Sequence, residues 1–138
     1  MADRIRRTEY YYTTVDDRPG EGARVLRAFK GAGVNLLAFH GFPAGDGRAQ
    51  LDFVPADAAA FRRAAAEAGI ALTGPKPCFL VEGEDRVGAC ADLVSKLADA
   101  GVGLIAMDAV AAGAGRYGAL FWVADGDVEK AARALGAA

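Results

Sequence analysis

One histidine, one serine, one asparagine, one tryptophan and two cysteines occur among 138 residues. Each scarcity removes a class of chemistry. Covalent catalysis wants a serine or cysteine beside a base that a third group orients. Ser95 falls inside a predicted helix and His40 stands alone in a predicted strand, so no such set can be assembled and no enzyme is expected. No cofactor is expected either. The one metal arrangement on offer, His40 with Asp108 or Asp52, is a weak donor set. Cys78 and Cys90 lack metal or redox spacing. Both read as small buried thiols, one at a strand start and one on a helix. No apolar run nears the roughly 20 residues that span a bilayer. No signal-type apolar segment follows the first arginines. A cytoplasmic protein with no membrane partner is the expectation. Net charge is -2 and the pI about 5.4, which gives no basic stripe for nucleic acid. The most basic run, Arg4 to Arg7, reads as a solvated N-terminus.

What is present is a core and a repeat. Hydrophobic residues make up 53% and charged residues 25%, the balance of a folding chain. Asp17 falls on Asp85 when the sequence is shifted by 68 residues (85 less 17), and other positions follow without a gap. Arg18 falls on Arg86 and Gly20 on Gly88. "AGVNLLAF" (Ala32 to Phe39) falls on "AGVGLIAM" (Ala100 to Met107). Gly45, Gly47 and Arg48 fall on Gly113, Gly115 and Arg116, and Phe53 on Phe121. These are two copies of one unit, each too small to be secure alone.

Each copy reads in one order. Tyr10 to Val15 alternates aromatic and β-branched residues, as strands do. Pro19-Gly20 starts a helix, because proline fixes φ where no N–H partner is needed. Val25, Leu26 and Phe29 give it one apolar stripe, and Gly31 and Gly33 end it. Val34 to Phe42 is a second strand, "PAGDG" a hairpin turn, and Arg48 to Val54 a third strand. Asp57 caps a helix over Ala58 to Ala68, and Ile70 to Thr73 makes a short fourth strand. The second copy gives strand Cys78 to Glu82 and helix Arg86 to Ala100, with Val87, Leu93, Val94 and Leu97 inward. Strands Val102 to Val110 and Tyr117 to Val123 and helix Asp127 to Leu135 follow. No residues remain for its last strand, so Ile70 to Pro77 either serves the first copy or is shared. Strand-helix-strand-strand-helix-strand is the ferredoxin-like layout. The expected class is α+β, with two βαββαβ units, the second lacking its last strand. Each is an antiparallel sheet with helices on one face, and the two are packed side by side. Their expected limits are residues 1–74 and 75–138.

The loop after the first strand has two readings. Asp17 can simply favour the positive end of the helix dipole, while Asn35 serves the geometry of a strand start. Or the two can take a zwitterion. Helix N–H groups would hold its carboxylate, Asp17 its ammonium, and Asn35 would bridge. His40 can line such a site or be a satisfied structural residue. Trp122 and Tyr10 to Tyr12 read as core or interface packing.

The stretch "VDDRPGEGARVLRAFKGAGVNLLAF" resembles the ACT domain, a small amino-acid-sensing regulatory module. The resemblance covers both copies and is similar to a free-standing tandem ACT protein. The first copy carries Asp17, Pro19, Gly20, Gly33, Val34 and Asn35. In the second, Val87 replaces the proline and Gly103 the asparagine, while Asp85 remains. The resemblance implies a ferredoxin-like fold, units paired side by side through their sheets, and an amino acid bound between units. The implied ligand positions are Asp17, Arg18, Pro19, Gly20, Asn35, Leu36, His40 and Asp85, with one competent site built mainly by the first copy. The implied partners are an amino acid or similar small ligand, a protein partner enzyme and a second copy in a homodimer. A ligand-free subunit that associates through sheet edges is the competing expectation.

Overall fold

Apolar periodicity decides the elements of the computed structural model, which describes residues 3–137. In order these are β1 (Arg4–Asp16), α1 (Glu21–Gly31), β2 (Leu36–Gly45), β3 (Arg48–Pro55), α2 (Ala58–Glu67) and β4 (Thr73–Glu84). After them come α3 (Ala89–Asp99), β5 (Leu104–Gly113), β6 (Arg116–Val123), a single 3-10 turn (Asp125–Asp127) and α4 (Val128–Leu135). The class is α+β, with βαββαβ-type repeats, as the sequence indicates.

The chain divides into two compact units. One is Tyr10–Lys76; the other is Pro77–Ala138 together with the residues up to Glu9. Two strands are therefore shared. The first part of β1, Arg4–Glu9, counts with the second unit, and the first part of β4, Thr73–Lys76, with the first. The strand order is β2-β3-β1-β4 in the first unit and β1-β4-β6-β5 in the second. In the first, β3 pairs antiparallel with β1 (Tyr11 to Phe53, Asp16 to Arg48) and with β2 (Phe39 to Phe53, Gly45 to Arg48). In the second, β6 does the same between β4 and β5.

Each unit has its own core. Alternation along β1 and β3 sends Tyr11, Val15, Leu51 and Phe53 to the helices, where Val25 and Phe29 of α1 and Phe61 of α2 meet them. Phe29 stacks on Phe61 at 4.5 Å and meets Phe53 edge-on at 5.3 Å. Burying such rings contributes about 2–3 kcal/mol each. The second core swaps Leu97 for Phe29 and stacks Phe79 on Phe121 at 4.9 Å.

Several expectations need correction. Arg4 to Arg7 is not a solvated tail but the start of β1. Arg4 and Arg6 pair with Glu82, Arg7 pairs with Glu129, and Ile5 packs on the second core. Ile70 to Thr73 and Cys78 to Glu82 are not two strands. From Thr73 onward they form one, β4. Pro75 and Pro77, two residues apart, withdraw N–H groups from a single edge, and the strand runs on. Val87 is not part of an apolar stripe: it lies before α3 and is fully exposed. Cys78 is buried as expected, whereas Cys90 is exposed.

Candidate functional site

In each unit the loop after the first strand is tied to the tip of the following hairpin. The Asp17 amide donates to the Gly47 carbonyl at 2.8 Å, and the Asp85 amide to the Gly115 carbonyl at 2.8 Å. Gly45 and Arg48 close the first hairpin as a pair, with Asp46 and Gly47 between them at φ 55 and 70. Two positive φ values make the type I′ turn that suits twisted strands.

The helix start differs from expectation by two residues. Pro19 lies outside α1, and Gly20 is the N-cap at φ 96, a left-handed value that favours glycine. No side chain caps α1, and Gly88 stands uncapped in the same way before α3. Asp57, by contrast, accepts from the Ala60 amide at 3.1 Å and caps α2 as expected. The first-turn N–H groups of α1 thus meet no side-chain acceptor, an arrangement that suits an anion.

Asp17, Arg18, Pro19 and Gly20 are all exposed in this loop. Arg48 donates to Asp16 at 2.6 Å and to the Thr14 carbonyl at 3.1 Å, and Arg18 pairs with the same Asp16 at 3.6 Å. Asp16 is therefore neutralised by two guanidiniums. Among the described residues, the Asp17 carboxylate has no side-chain partner. Asn35 is also exposed, but elsewhere. Its carbonyl accepts from the Ala56 amide at 3.0 Å, beside the pair of Leu36 with Pro55. Asp17 and Asn35 thus stand at opposite ends of β3, roughly 20 Å of strand apart. One small ligand cannot touch both within one unit. Leu36 is half-buried against the core. His40 pairs across to Asp52 and sits 5.3 Å from the Phe42 ring. Among the described residues no three His, Cys, Asp or Glu side chains converge as a metal site.

The matching loop of the second unit borders a cavity of about 300 Å³, lined by Asp85, Arg86, Cys90, Val110 and Tyr117 among others. On the helix side of the same loop lies a cluster that the sequence reading missed. Arg86 donates to Asp3 at 3.0 Å, and the Tyr117 hydroxyl donates to Asp3 at 2.8 Å. Burial raises the Asp3 carboxyl, but the hydrogen bonds from Arg86 and Tyr117 and the nearby charges hold it below 3.8. Burial first, then Asp3, push the Tyr117 hydroxyl up to about 12. The repeat carried the signal. Gly83 stands where Val15 does and Tyr117 where Ala49 does, two departures on facing strands. A Cβ on Gly83 would lie 2.6 Å from Tyr117 Cε1 and closer still to the Asp3 carboxylate.

By sequence, no family model and no curated protein matches the chain. By structure, it resembles a protein from Bacteroides thetaiotaomicron at TM-score 0.82 and 14% identity, over 96% of this chain and 88% of that one. The regulatory subunit of aspartate kinase from Thermus flavus aligns at TM-score 0.61 and 20% identity, over 99% and 95%. The ligand-free regulatory subunit of the Thermus thermophilus enzyme aligns at TM-score 0.62 and 19% identity, over 99% and 95%. At these identities the likeness is one of fold. That fold is shared with these regulatory subunits along nearly the whole chain.

Proposed function

We propose that the chain is a non-catalytic regulatory module that holds an amino acid, or a similar small zwitterion, between two copies of itself. Occupancy would pass to a partner enzyme or through the assembly. The observation that carries this reading is the separation of Asp17 from Asn35. In the first unit β2 is an edge strand, with Leu37, Phe39 and Phe42 exposed. Two-fold pairing of an edge strand with itself is antiparallel. It sets the start of β2 in one copy beside its end in the other. Asn35 of one copy then meets the hairpin tip of the second copy, where Gly47 holds the Asp17 loop. A ligand ammonium would face the unpaired Asp17 carboxylate, its carboxylate the uncapped start of α1, and Asn35 would reach in from across the dyad. Arg18, Pro19 and Gly20 would form the loop wall. His40, Leu36 and Asp85 have no such placement and take structural roles in this reading. The regulatory subunits of aspartate kinase that share the fold support a regulatory rather than a catalytic role.

Thermal unfolding of the protein against the twenty amino acids, one at a time, tests the site. A ligand at a hundred times its dissociation constant adds about 2.7 kcal/mol. We expect one or a few hits, lost in Asp17→Ala and in Asn35→Ala, with one ligand bound per chain in the dimer. The exposed apolar side chains of β2 also favour a second reading, a constitutive dimer with no ligand. That reading predicts no shift from any amino acid and a dimer by sedimentation in their absence.

A further inference from the structure

The chain is net acidic, yet its cations are unevenly placed. The helices of the first unit carry Arg24, Arg27, Lys30, Arg62 and Arg63 against Glu21 and Glu67. The helices of the second unit carry Lys96, Lys130 and Arg133 against Asp92, Asp99 and Glu129, a balanced set. On α1 and α2 some cations are already used. Arg24 pairs with Glu21 at 3.2 Å, and Arg62 donates to the Tyr11 hydroxyl at 2.5 Å. Among the described residues, Arg27, Lys30 and Arg63 have no ion-pair partner. The helices pack on each other and bury Val25, Phe29, Phe61, Ala64 and Ala65, which leaves these three cations exposed. The same helices expose the small residues Ala23, Gly31, Ala59 and Ala66, and the helical spacing of Ala23 with Arg27 and of Ala59 with Arg63 sets them on the cations' faces.

We propose that the outer face of α1 and α2 is a docking surface for an acidic segment of a protein partner. Three unpaired cations on rigid helices offer charge complementarity to carboxylates, which sets orientation and encounter rate. The alanine and glycine positions let a partner backbone come close, and the arginine and lysine stems cover apolar surface beside it. A second copy docking this face on itself would set cation against cation. A nucleic acid or an anionic membrane would feel the net charge of -2 at longer range. A short acidic protein segment engages the patch alone.

The test uses the full chain, isotope-labelled, with a poly-glutamate peptide as probe. Amide shifts should fall on α1 and α2 and fade as salt is raised. The variant Arg27→Gln/Lys30→Gln/Arg63→Gln should bind at least about tenfold more weakly, in line with three exposed charge contacts. The variant Lys96→Gln/Lys130→Gln/Arg133→Gln changes net charge equally and should leave binding unchanged. Should the first triple fail to fold by circular dichroism, Arg63→Gln alone gives the reading. Equal weakening by both triples, shifts centred elsewhere, no binding at low salt, or tighter binding of single-stranded DNA or anionic vesicles than of the peptide would each overturn the proposal.

Discussion

Asp3 makes its contacts with residues more than eighty positions away, and they show how one side chain can secure a strand. Its carboxylate takes hydrogen bonds from Arg86 and Tyr117 and is largely shielded from solvent. The cluster is sensitive to pH at both ends. Asp3 has a folded pKa below 3.8, so its contribution is full above the unfolded value and lost as pH falls through the folded one. Tyr117 is raised from 10.0 to about 12, so its contribution is full below pH 10 and lost as pH rises toward 12. Asp3→Asn should therefore lower the melting temperature at neutral pH, and the gap to wild type should narrow in acid below about pH 4. Tyr117→Phe should remove part of the fall in stability between pH 10 and 12. Melting curves of wild type and Asp3→Asn that stay the same distance apart from pH 7 into strong acid would dismiss this account. The sequence held the positions but not the partner. Gly83 and Tyr117 break the repeat visibly, whereas Asp3 precedes the region where the copies align.

At the level of elements, local signals were legible where turn chemistry is specific. Asp57 caps α2, and Gly33 closes α1 through the Val34 amide on the Phe29 carbonyl at 3.0 Å, a bond mirrored from Val102 to Leu97 at 2.9 Å. The "DG" of the first hairpin forms the two-residue turn. What stayed hidden was decided by distant partners. The sequence places Ile70 to Thr73 and Cys78 to Glu82 as separate strands, whereas extended backbone runs unbroken from Thr73 to Glu84. α1 starts after Gly20 because backbone geometry, not proline, sets the turn. The second hairpin has Ala114 where the first has Asp46, also at positive φ (56). Alanine is disfavoured there by roughly 1 kcal/mol, while aspartate tolerates the conformation. Ala114→Asp should raise stability by about 0.5–1 kcal/mol in denaturant melts. A loss of stability would mean that the turn does not govern this hairpin.

For the whole molecule, the repeat showed that there are two units but could not show which owns the first residues. A shift of one sequence against itself pairs β1 with β4 and says nothing of which unit each half joins. Residues 1–74 and 75–138 are the limits read from the repeat, while the compact units give Arg4–Glu9 to the second. The two divisions predict different outcomes for a chain that begins at Tyr10. Loss of Ile5 and of the partners of Glu82 and Glu129 should weaken the second core. Hydrogen exchange should then speed up across Pro77–Ala138 while Tyr10–Lys76 keeps its protection. Faster exchange confined to Tyr10–Lys76 would return Arg4–Glu9 to the first unit. The candidate site was legible to the same degree. Its residues could be named from the motif, but their distance along β3 comes from register, which a sequence does not display.

The shared strand also fixes an order of events during synthesis. Arg4–Glu9 leaves the ribosome ahead of the whole of Tyr10–Lys76, yet the unit it completes emerges only after that stretch. At about 5–20 residues per second, it waits several seconds or more for β4 and β6. Tyr10–Lys76 can collapse in that interval with its own two helices, β2, β3 and its parts of β1 and β4. Its leading strand is left with a dangling, arginine-rich end. Those charges, which looked like a solvated tail, keep the waiting segment soluble until Glu82 and Glu129 arrive to take them up.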